Sequence, residues 1–112
     1  MPASKKRSYA RYTIAAVELI GTLIQLERKS RRMTAQDMSD RLGIDRSTLQ
    51  RLEKGDPKVE LGLAFEACAI LGIPLFEEDA QGVTLRLDQA GKRLALLPNR
   101  VRHKPLSVSD DF

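Results

Sequence analysis

Five polar side chains within nine residues set the chemistry open to this chain. In RSTLQRLEK, residues 46–54, helical geometry places Arg46, Gln50, Lys54, Ser47 and Arg51 within an arc of about 140°. Leu49 and Leu52 fall on the opposite side. An arginine bonds guanine through two parallel N–H groups, and a glutamine amide bonds adenine; these patterns distinguish base pairs in a duplex major groove. Side chains near the start of such a helix reach deepest, which makes Arg46, Ser47 and Arg51 the candidate base readers, with Gln50 beside them. Any surface helix also needs a solvated face, so the wheel alone leaves that plainer reading open.

Local signals frame this helix closely. Thr34 and Asp37 have the spacing of a capping box, with Met33 and Met38 at the flanking staple positions. Gly43 closes the helix that Thr34 opens, Asp45 caps the next, and Ile44 with Leu49 repeats the staple. Only a turn of about three residues separates the two helices, which is the helix-turn-helix connection. Gly55-Asp56-Pro57 ends the second. Thr34 and Gln36, with the backbone N–H groups at that helix start, are candidate phosphate holders. Lys54 and Lys58 sit where a nucleic-acid backbone would pass, although Thr34 as an ordinary cap and the lysines as solvated charges explain them equally.

Other elements must support this pair. Ile14, Val17, Ile20, Leu23, Ile24 and Leu26 recur at helical spacing and predict a first helix from Thr13 to about Arg31. A fourth helix is expected from about Glu60 to Leu71, with Cys68 on its buried face and Gly72 closing it. Pro74 with Leu75 and Phe76 predicts a short fifth helix. Val83, Leu85 and Leu87 alternate like a strand, whereas Leu87, Ala90, Leu94 and Leu97 favour a helix over 87–97. The expected organisation is a basic arm over 1–12, a helix-turn-helix domain over 13–78, an extension over 79–97 and a tail over 98–112. The tail lacks a core pattern and is expected to be disordered alone.

Composition narrows the function classes. The 112 residues are 42% hydrophobic and 30% charged, enough for one small core. No apolar run is long enough to span a membrane, and the basic N-terminus lacks a secretory core, so a cytoplasmic protein is expected. Cys68 is the single cysteine, and His103, the single histidine, stands alone in the tail. No metal-ligand cluster, cofactor motif or triad-like spacing occurs, so the expectation is no enzyme, no metal and no cofactor. The net charge of +4 is uneven: 1–12 carries Lys5, Lys6, Arg7 and Arg11 without an acid, and 28–58 holds nine basic against five acidic residues. The positive field therefore lies on the arm and the helix-turn-helix segment, where a polyanion would sit. The arm residues are candidates to track phosphates or enter a minor groove.

The run RMTAQDMSDRLGIDRSTLQRLEKGDPKV, with its flanks, resembles the DNA-binding domain of Xre-type, phage-repressor-like regulators over roughly 13–78. The resemblance implies an all-α, compact five-helix bundle that binds operator DNA as a two-fold dimer. It marks Arg46, Ser47 and Arg51 as base-facing and pairs Arg28 with Glu53 in a structural ion pair. Ala35 stands where the pattern carries a phosphate-binding glutamine, leaving Gln36 as the substitute. EKGDPKVELGLAFEACAILGI, then LPNRVR and a terminal DDF, is similar to the HipB-like antitoxin encoded beside HipA-type kinase toxins. That likeness implies a repressor of its own operon whose tail, with Arg100, Arg102, Asp110, Asp111 and Phe112, engages the kinase. A stand-alone repressor without a toxin, and a protein-interaction module without DNA, are the two competing functions. For a dimer, the apolar residues of 73–97 are the candidate surface.

Overall fold

The computed structural model describes residues 7–100, so Lys5, Lys6, Arg102, His103, Asp110, Asp111 and Phe112 lie outside the described residues. Among the described residues there are five helices: α1 (Arg11–Ser30), α2 (Ala35–Leu42), α3 (Arg46–Lys54), α4 (Leu61–Leu71) and α5 (Ala80–Ala95). The all-α class expected from sequence is what the described residues adopt. The described residues divide into two units, with the break between Glu77 and Glu78.

In the first unit the caps act as their spacing predicts. The Thr34 hydroxyl accepts from the Asp37 N–H at 3.0 Å, and the Asp37 carboxylate accepts from the Thr34 N–H at 3.2 Å. Asp45 accepts from the Thr48 N–H at 2.7 Å and opens α3. The core is built from Ile24 of α1, Met38 of α2, Leu49 and Leu52 of α3, and Ala67, Cys68 and Leu71 of α4. Burial raises the Cys68 thiol pKa, so this group is an inert packing element.

One contact fixes how α3 lies on α1. Gly21 is buried, and a Cβ placed there would stand 2.6 Å from the Leu52 carbonyl oxygen and 2.7 Å from that of Glu53. Backbone meets backbone at this crossing. Gly55 completes it: its φ of 81° is left-handed, and a Cβ would lie 2.7 Å from the Glu18 Cα. Only glycine meets both demands without strain. The far end of α1 is tied down by Arg31, whose guanidinium donates to the Leu71 carbonyl at 2.6 Å and so satisfies an orphan acceptor of α4.

Three boundaries differ from expectation. Helix α1 starts at Arg11, so the last residues assigned to the arm are helical. No short helix forms at Pro74. Phe76 and Glu77 both adopt left-handed φ, 54° and 58°, which a right-handed helix cannot contain. The Phe76 ring packs edge-on against Phe65 instead, with centroids 6.2 Å apart. The fifth helix is α5, in the second unit, and it begins seven residues before the expected 87. Asp79 is the reason: its carboxylate accepts from the Gly82 N–H at 2.8 Å, so Val83 and Leu85 continue a helix rather than alternating as a strand.

Candidate nucleic-acid interface

Helix α3 turns two different sides to its surroundings. Leu49, Leu52 and Glu53 are buried, whereas Arg46, Ser47, Gln50, Arg51 and Lys54 are exposed. The exposed five therefore share one outward face. It forms a ridge between two grooves. The inner groove, with a volume of about 540 Å³, brings Arg46, Ser47 and Gln50 beside Ala35 and the Arg28–Glu53 pair. The outer groove brings Arg51 and Lys58 together with Thr48 and Glu60. The candidate base readers thus divide between the flanks of one ridge.

At the floor of the inner groove, Arg28 Nε donates to Glu53 Oε2 at 2.7 Å and Nη2 donates to Oε1 at 3.0 Å. Its Nη1 donates to the Met33 carbonyl at 2.9 Å. Both side chains are over nine-tenths buried, and this fork-on-fork geometry answers most of their polar groups. The bond to Glu53 raises the Arg28 pKa further, so this guanidinium stays charged at neutral pH. The Glu53 carboxylate is thus engaged by Arg28 within the fold, away from the exposed face.

The outer groove contains a contact that sequence reasoning did not anticipate. Arg51 Nε donates to Asp56 Oδ2 at 2.9 Å, and Asp56 Oδ1 accepts from the Lys58 N–H at 2.9 Å. These two bonds, the Lys58 amide first, hold the Asp56 carboxyl below its ordinary range. Arg51 and Asp56 are five residues apart, which is no helical spacing. They meet because α3 ends at Gly55 and the Asp56 N–H returns to the Arg51 carbonyl at 3.0 Å. A glycine C-cap followed by an acid was the available signal.

The phosphate candidates fall in three places. Thr34 and Gln36 are exposed at the start of α2, Lys54 at the end of α3, and Lys58 in the loop that follows. The capping box occupies the Thr34 and Asp37 amides, leaving those of Ala35 and Gln36 without an intrahelical acceptor. The Gln36 side chain is turned along its own helix and donates to Asp40 Oδ1 at 2.8 Å. A phosphate at this point meets backbone N–H groups before it meets an amide side chain. Arg7 and Arg11 are exposed ahead of and at the start of α1, and Arg100 is exposed beyond α5.

Among the described residues no helix is long and apolar enough to cross a membrane, and no group of acids, histidines or cysteines is arranged to hold a metal. Neither a curated protein nor a solved structure shows significant similarity to the chain. A family model described as helix-turn-helix matches residues 24–77, from the middle of α1 through α4 and the turn beyond it. This segment, with its short turn between two capped helices and its exposed cationic face on the second, is the part of the chain that is similar to the helix-turn-helix family.

Proposed function

We propose that the protein is an Xre-type transcriptional repressor that binds operator DNA as a homodimer and serves as antitoxin to a HipA-like kinase toxin. The observation that carries the DNA reading is the sorting of α3, with Leu49, Leu52 and Glu53 inward and Arg46, Ser47, Gln50, Arg51 and Lys54 outward. A helix anchored in this way presents base-reading groups on a rigid support, which major-groove recognition requires. The free amides at the start of α2, with Lys54 and Lys58, suit the flanking phosphates. Selection of bound duplexes from a randomised pool tests this reading. One sequence should be enriched, its affinity should fall steeply with salt, and Arg46→Ala should cost about 1–3 kcal/mol on it. A protein that retains no duplex at low salt is not a DNA-binding regulator.

Helix α5 supports the dimer. Ala80, Val83, Leu87, Ala90 and Leu94 follow alternating steps of three and four residues, the spacing of a helix–helix seam. Leu87 is 72% exposed and Leu94 70%, and no residue of α5 is buried. A second copy of the same seam would cover it and bring two recognition helices to one operator. Leu87→Asp with Leu94→Asp should give a monomer in sedimentation and weaken operator binding by about a hundredfold or more, through lost avidity.

The antitoxin role rests on the likeness of the C-terminal LPNRVR and DDF motifs to the HipB-like family. It is tested by capture of a HipA-like kinase from native lysate on the full chain. Removal of residues 98–112 should abolish that capture and leave duplex binding intact. Capture that survives the truncation would move the kinase contact off the tail, and no kinase with the full chain would leave a stand-alone repressor.

A further inference from the structure

The bond between Arg51 and Asp56 has a consequence for how Arg51 meets a base. Asp56 is clamped from two sides, with its backbone N–H on the Arg51 carbonyl and its Oδ1 on the Lys58 N–H. Its second oxygen is thereby fixed in space, and it receives Arg51 Nε at 2.9 Å. An unrestrained arginine on a helix surface loses much rotamer freedom when it binds. Here one edge of the guanidinium is already anchored, which leaves the Nη1 and Nη2 groups as the edge available to a base. That edge has the two-donor geometry that matches guanine O6 and N7. Moreover, an acid beside a recognition helix opposes a polyanion unless it serves another group.

We propose that Asp56 is a specificity-determining residue of the DNA interface: it contacts no base itself but positions Arg51 so that Arg51 reads a guanine through its terminal edge. This rests on the DNA-binding reading above. Asp56 belongs to the turn after α3, not to the recognition helix, so the base preference of α3 is partly encoded outside it.

Two substitutions separate this role from that of the turn. Asp56→Asn retains an oxygen for the Lys58 N–H but presents an amide donor to Arg51 Nε, whereas Asp56→Ala removes both contacts. The full-length chain, Asp56→Asn, Asp56→Ala, Arg51→Ala and the Arg51→Ala/Asp56→Asn double variant are each passed through randomised-duplex selection, with melting temperature recorded in parallel. Asp56→Asn should melt like wild type and lose about fivefold in preference for guanine at one position of the selected site, with the other positions unchanged. The double variant should match Arg51→Ala, because Asp56 acts through Arg51. Wild-type selection with an unaltered Asp56→Asn profile overturns the inference and leaves the DNA reading intact. So does tighter binding with an unaltered profile, which would show that the pair merely competes with DNA. A uniform loss tracking a fall in melting temperature would likewise overturn it, as a purely structural effect. A wild-type protein that selects no sequence removes both readings together.

Discussion

The two flanks of α3 carry the same chemical pair in opposite surroundings. On the inner flank, Arg28 grips Glu53 with two parallel bonds, and both side chains are almost fully buried. On the outer flank, Arg51 holds Asp56 by a single bond, with side chains 47% and 30% exposed. Their shortest distances, 2.7 and 2.9 Å, scarcely differ. Environment separates their roles. Low dielectric makes the inner pair costly to break, because a lone partner is a buried, uncompensated charge. Water screens the outer pair, so it contributes little to stability yet can still fix where a guanidinium points. Distance alone therefore does not tell a buried structural ion pair from an exposed one.

The largest effect should come from breaking the inner pair on one side only. Arg28→Ala or Glu53→Ala is expected to lose about 3–5 kcal/mol in urea unfolding. Replacing both by Met and Leu should recover much of that loss, because two apolar groups need no partner. A Glu53→Ala protein as stable as wild type would end the distinction between the flanks. Next comes the crossing that sets the inner flank. Gly21→Ala must push α3 off α1 and should cost about 1–3 kcal/mol, since the clash is with backbone carbonyls rather than a flexible side chain. Its measurement is again equilibrium unfolding.

On the outer flank the expected sign differs by readout. Asp56→Asn should leave unfolding nearly unchanged while shifting base preference. The smallest effect lies in acid. Asp56 is lowered chiefly by the Lys58 N–H, and Asp45 by its bonds to Thr48, both from an ordinary value of 3.8. A carboxyl depressed in the folded state contributes fully above its unfolded pKa and is lost as pH falls through the folded one. Thermal melts taken from neutral pH down past 3.8 should therefore fall less for Asp45→Asn and Asp56→Asn than for wild type. The inner pair should not contribute to that slope through Arg28, whose raised pKa keeps it charged throughout.

How far the sequence disclosed these features depends on how local their causes are. Caps at Thr34 and Asp45 and the glycine stop at Gly55 are decided within a few residues, and α3 spans the residues its flanking signals implied. The Pro74 helix failed because Phe76 answers to Phe65, eleven positions earlier, and not to its own neighbours. The alternation of Val83, Leu85 and Leu87 masks the start of α5, which is set by the local cap at Asp79. Gly21 gave no warning at all, since its requirement is the carbonyl oxygens of another helix. At the interface, the outward face of α3 followed from periodicity. The Arg51–Asp56 bond did not, because it arises only once the chain has reversed at Gly55.

The sorting of α3 also bears on how the sequence preference proposed for it would change. Leu49, Leu52 and Glu53 anchor the helix, and none of them belongs to the outward five. Positions 46, 47, 50 and 54 can thus vary without disturbing the anchor. A library randomised at those four should remain mostly folded while its members diverge in preferred sequence. Position 51 is the exception, because its side chain is bonded to Asp56. New specificities gained at 51 are expected to arrive with a compensating change in the turn.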